Sequence, residues 1–119
     1  MHKTRFEPDP DSAKAARDFV RTCLSGATGL DLDMILLLTT ELASNAILHT
    51  QLTFEVSVEL SESCARVSVD DRNAVLPAYT PFDGTDPCGR GQPWSRRPRT
   101  GWGIEPTALG KRAWFEMCA

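Results

Sequence analysis

Residues 37–49 read Leu37-Leu38-Thr39-Thr40-Glu41-Leu42-Ala43-Ser44-Asn45-Ala46-Ile47-Leu48-His49. This run has the apolar content of a buried helix, yet it places Glu41, Asn45 and His49 at i, i+4 and i+8. Residues four apart share one helical face. At about 100° per residue, Met34, Leu37 and Leu48 fall close to the azimuth of Glu41. A carboxylate inside an apolar stripe is costly to bury unless something binds it. Either Glu41 sits within the stripe and serves a site, or it sits at the stripe's edge with Asn45 and His49 satisfied locally.

The flanking chain supplies the frame for this helix. Asp9-Pro10-Asp11-Ser12 is a helix-start signal. Ala16, Phe19, Val20, Cys23 and Leu24 recur at three- and four-residue spacing, which predicts an amphipathic helix over about 11–25, ended near Gly26 and Gly29. Arg5-Phe6-Glu7 before it suits a short edge strand. Asp31 or Asp33 can cap the second helix, which runs to about Thr50. Phe54, Val56, Val58 and Leu60 alternate with Glu55, Ser57 and Glu59, and Ala65, Val67 and Val69 alternate with Arg66 and Ser68. Both patterns predict half-buried strands, joined by a hairpin at Ser61-Glu62-Ser63. Most of the prolines and glycines lie between Pro77 and Gly103, which predicts a long loop. Residues 112–117 read as a closing strand. Helices followed by an antiparallel sheet indicate an α+β fold, a two-layer sandwich with the helices on one face.

Length and composition limit the function classes. At 119 residues with a net charge of -3, the chain suits one soluble domain, 1–119, and gives no global case for nucleic-acid or membrane binding. The apolar runs are too short to span a bilayer. Met1–Phe6 lacks the apolar centre of a signal peptide, so a cytoplasmic location is expected. Cys23, Cys64, Cys88 and Cys118 form no C-x2-C pair. A zinc site therefore has little support, and free or buried thiols are expected in a reducing compartment.

Taken together, these pieces resemble the GHKL (histidine-kinase-like) ATP-binding fold, closest to the small bacterial ATP-binding regulators related to anti-sigma-factor serine kinases. Glu41–His49 looks like that family's N-box helix. Val67-Ser68-Val69-Asp70-Asp71-Arg72-Asn73 looks like its strand-then-aspartate motif, and Gly89-Arg90-Gly91 like the glycine motif closing the ATP lid. Trp102–Pro106 and Gly110–Met117 resemble the last turn and final strand. The likeness runs through nearly the whole chain in the right order.

The resemblance implies a Bergerat-type fold, ATP and Mg2+ as cofactors, and a lid loop at about 77–103. Asn45 would ligate Mg2+ through its side-chain oxygen, a hard ligand for a hard cation. Glu41 would orient or deprotonate the attacking hydroxyl. Asp71, which alternation places on the same face as Val67 and Val69, would accept a hydrogen bond from the adenine amino group. Asn73 stands where the family commonly has a small residue. Gly89 and Gly91 would let backbone amides approach the phosphates. The implied partner is a sigma factor or an anti-anti-sigma-like protein, and homodimers occur among the relatives.

One segment departs from the family. Gln92-Pro93-Trp94-Ser95-Arg96-Arg97-Pro98-Arg99-Thr100-Gly101 keeps the usual length between Gly91 and Trp102 but has no apolar stripe, and Pro98 interrupts any helix. Reading this stretch one base earlier can restore an Ala-rich helix, so a compensated frameshift would account for it. As written it is basic. Three functions follow: an ATP-binding switch acting by phosphorylation or sequestration, a pseudo-kinase that binds protein without using nucleotide, and, with least support, an arginine-rich nucleic-acid loop.

Overall fold

The computed structural model describes residues 1–50, 52–61, 63–72 and 100–118, with only the backbone of His49, Thr50 and Thr100. The elements run β1 (His2–Phe6), α1 (Asp11–Cys23), α2 (Leu32–Thr50), β2 (Phe54–Leu60), β3 (Cys64–Asp71), β4 (Thr100–Pro106) and β5 (Lys111–Cys118). The strands form one sheet in the order β1-β2-β3-β5-β4, and every pairing is antiparallel. α1 packs on β1 and β2, while α2 packs on β2, β3 and β5. The protein is α+β, with a helical layer on one face of the sheet.

Period-two alternation selects the sheet's buried face. Phe54, Val56 and Val58 of β2, Ala65, Val67 and Val69 of β3, and Phe115 and Met117 of β5 are all at most 2% exposed. They form a single cluster with Ala16 and Val20 of α1 and Ile35, Leu38, Leu42, Ala43 and Ala46 of α2. Phe6 stacks on Phe54 and meets Phe19 edge-on, fastening β1 to the helical layer. Burying each of the valine, leucine, isoleucine, phenylalanine and methionine side chains contributes roughly 1.5–3 kcal/mol.

Both helices begin with an aspartate. Asp9 accepts the Asp11 amide at 2.9 Å, just ahead of α1. At α2 the cap is Asp31, whose Oδ1 accepts the Met34 amide at 3.1 Å; Asp33 lies in the first turn. This bond satisfies one of the amides that a helix start leaves unpaired. Asp31→Ala is expected to cost about 1 kcal/mol, read by urea unfolding. An unchanged midpoint would show that the cap contributes nothing.

Two expectations are corrected. The edge strand lies at His2–Phe6, slightly earlier than Arg5–Glu7. Thr100–Gly103, expected within the loop, begins strand β4, and Trp102–Pro106 is strand and not a turn. Gly101 and Gly103 concealed it, because glycine is a poor strand former. Here Trp114 of the neighbouring strand lies across both glycines. A Cβ on Gly103 would fall 2.7 Å from the indole nitrogen, so only glycine leaves the ring its place. Arg66 sits 4.2 Å above the same ring and completes the stack. Asn73 and the remaining lid positions, Cys88, Gly89, Gly91 and the arginine-rich stretch to Arg99, lie outside the described residues.

Candidate functional site

The exposure pattern of α2 decides where Glu41 and Asn45 sit. Ile35, Leu36, Leu38, Thr39, Leu42, Ala43 and Ala46 are the buried residues of the helix. Leu37 is 37% exposed and Leu48 is 73% exposed. Of the apolar residues near the azimuth of Glu41, Leu37 and Leu48 therefore lie outside the buried stripe, and Met34 packs at its margin. Glu41 and Asn45 are half-buried, one turn apart, on the flank of the helix beside that stripe. Thr39 and Thr40 return their hydroxyls to the carbonyls of Ile35 and Leu36 at 2.8 and 2.9 Å, which hides their polarity within the helix. Such bonding lets threonines occupy an otherwise apolar run.

The second part of the site is the end of β3. Asp71 continues the inward face of Val67 and Val69, as alternation predicts, and is 7% exposed. Register sets it opposite Lys111, the first residue of β5. Lys111 Nζ donates to Asp71 Oδ1 at 3.1 Å and lies 3.0 Å from Oδ2, so one cation spans both oxygens. Asp70 points to the other face, where Arg112 holds it in a fork: Nε donates to Oδ1 at 2.7 Å and Nη2 to Oδ2 at 3.0 Å. The hydrogen bond from Arg112 to Asp70, reinforced by that carboxylate's charge, pushes the arginine pKa above its ordinary value.

That outward pair belongs to a row of charges crossing every strand. Arg5, Glu55, Asp70, Arg112 and Glu105 stand side by side in register from β1 to β4. Arg5 approaches Glu55 at 3.7 Å, and Arg112 approaches Glu105 at 3.8 Å. A cavity of about 240 Å³ opens at this end of the sheet, bordered by Arg5, Glu55, Asp70, Asp71, Arg72 and Arg112. Its acids and bases largely neutralise one another.

Topology brings the two parts to one end of the molecule. Phe54 follows Thr50, the last residue of α2, by four positions, and its neighbour Glu55 pairs with Asp70. The C-terminal end of α2 and the end of β3 therefore meet there. Asn45 lies about 7.5 Å along the helix axis from that end. Asn45 lies in the half of α2 nearer this end and Glu41 at the helix midpoint, while Asp71 closes β3; Asn73, Gly89 and Gly91 fall outside the described residues. Among the described residues, no three His, Cys, Asp or Glu side chains stand close enough to hold a metal ion. No described helix is long and apolar enough to cross a membrane.

Sequence reasoning missed Lys111 and Arg112. Their signal was available: a doublet of acids ends one strand and a doublet of bases opens another. Only strand register makes those doublets partners. It also missed the Cys64–Cys118 disulfide, where free thiols were expected. Cys23 does keep a free thiol.

No protein-family model matches the chain, and no curated protein matches it either.

Proposed function

We propose that this protein is a nucleotide-binding regulator with a Bergerat-type fold, using Mg2+-ATP to control a protein partner by phosphorylation or sequestration. The observation that carries the reading is that Glu41 and Asn45, one turn apart, share a half-buried flank of α2, while Asp71 is held inward at the end of β3. An amide oxygen and a carboxylate one turn apart suit a hydrated hard cation and a hydroxyl nucleophile. The order of elements also agrees with the resemblance. Bound Mg2+-ATP supplies the phosphoryl group. Asn45 holds the cation through its side-chain oxygen, and Glu41 positions or deprotonates the hydroxyl of a target serine. Asp71 accepts from the adenine amino group. The partner is of the sigma-factor or anti-anti-sigma type, and the expected location is the cytoplasm.

One observation favours a second reading. Lys111 spans both oxygens of Asp71 in a pair that is nearly fully buried. An adenine amino group must share or displace that cation. A pseudo-kinase that kept the layered fold as a protein-binding module has no such requirement.

Calorimetric titration with Mg2+-ATP separates the two. The first reading expects saturable binding by the wild-type protein and its loss in Asn45→Ala, whose circular dichroism stays native. A folded wild-type protein that takes up no nucleotide sinks the first reading and leaves the second.

A further inference from the structure

Cys64 opens β3 and Cys118 closes β5, directly opposite each other in register, and their sulfurs are bonded across 54 positions of sequence. The inward residues of these strands are Ala65, Val67 and Val69, and Phe115 and Met117. By alternation the disulfide belongs to the opposite face, which the helices do not cover. Both cysteines are half-buried, so a small dithiol can reach them. Cys23 packs against the core from the helical side and borders the same cavity as Cys64. Its burial pushes the thiol pKa up, which keeps it protonated and a poor nucleophile.

The neighbours of Cys118 give this bond leverage. Met117 beside it is 2% exposed and pairs with Thr100, where the chain enters β4. β4 lies at the edge of the sheet and pairs with β5 alone. The disulfide therefore fixes the point from which β4 is held. At the far end of the same β3–β5 ladder, the Asp71–Lys111 and Asp70–Arg112 pairs do the equivalent work. The ladder is pinned at one end by charge and at the other by a bond that a reductant can open.

We propose that the Cys64–Cys118 disulfide is a redox-operated clamp: its reduction by a dithiol frays the sheet from Cys118 to Trp102 while the Lys111 end stays paired. A dithiol thiolate attacks one sulfur, the S–S bond breaks, and a mixed disulfide forms. The reductant's second thiolate then displaces the protein sulfur. Two electrons and two protons end on the two cysteine thiols, and the reductant leaves as a cyclic disulfide.

The test compares the oxidised full-length protein with protein treated with dithiothreitol, using maleimide labelling, hydrogen exchange and thermal unfolding. Cys64 and Cys118 should resist label before treatment and take it together afterwards. Amide exchange at 100–102 and 115–118 should accelerate about tenfold or more, with 111–113 unchanged. The Tm should fall by roughly 10 °C. Cys64→Ser/Cys118→Ser should match the reduced protein and ignore dithiothreitol. Label on both cysteines in the untreated protein overturns the proposal. So does exchange that is unchanged, or raised equally along the whole ladder, since either means no local clamp.

Discussion

Lys111→Met is expected to lower unfolding stability by about 3–5 kcal/mol, the range found when one partner of a buried ion pair is removed. Methionine keeps the length and apolar stem of lysine and deletes the charge between the Asp71 oxygens, which Nζ approaches at 3.0 and 3.1 Å. The side chains are 9% and 7% exposed, so water screens the attraction poorly and cannot fully resolvate the carboxylate left behind. The neighbouring pair is an internal control. Asp70 and Arg112 have the better fork geometry, but their side chains are 22% and 43% exposed. Arg112→Met should therefore cost about 1 kcal/mol or less. Adding Asp71→Asn to Lys111→Met should recover part of the loss, because a neutral amide costs less to bury than a carboxylate that has lost its cation. Urea unfolding of the four proteins reads all of these effects. Equal losses for Lys111→Met and Arg112→Met would show that burial does not set the difference.

Gly110→Ala is expected to be comparably damaging, at roughly 3 kcal/mol or more, for a steric reason. Gly110 is buried in the turn between β4 and β5, where its carbonyl accepts the Thr107 amide at 2.9 Å and its amide donates to Thr107 Oγ1 at 3.1 Å. A Cβ there would collide with the Asp71 carbonyl oxygen and come within 2.6 Å of the Arg72 Cα. These are backbone atoms, so no rotamer change relieves the overlap. The turn would have to move away from the end of β3, pulling Lys111 from Asp71. Gly26→Ala supplies the contrast, since a Cβ there meets nothing within 4 Å. It should be neutral or stabilise by about 0.4–1 kcal/mol through the unfolded chain. Thermal unfolding of both variants decides the matter. A Gly110→Ala protein as stable as Gly26→Ala would mean that β3 and the turn do not approach so closely.

Much of the fold was legible in local pattern. The four-residue spacing of Ala16, Val20 and Leu24 marked α1, and the alternation from Phe54 and from Ala65 marked β2 and β3. The core buries these residues except Leu60, at the end of β2, which is 45% exposed. β4 was not legible because Gly101 and Gly103 carry no side chain, and the ring that fills their place comes from Trp114. The azimuth of the α2 stripe was misjudged for a related reason. Leucine occurs on several sides of that helix, and only the packed sheet chooses Leu38 and Leu42 over Leu37 and Leu48. In the candidate site, the shared face of Glu41 and Asn45 followed from helical spacing, and the inward aim of Asp71 followed from alternation.

By itself the sequence determined the local periods outside β4: where the chain coils, where it extends, and which side of β2 and β3 is apolar. Those are nearest-neighbour properties, set by backbone geometry and the cost of wetting apolar surface. The tertiary structure alone decided the pairings. Asp71 with Lys111, Asp70 with Arg112, Cys64 with Cys118 and Trp114 over Gly103 each join residues of different strands. Strand register fixes such contacts, and register is settled by the fit of whole strands and layers together, which no single stretch of sequence contains.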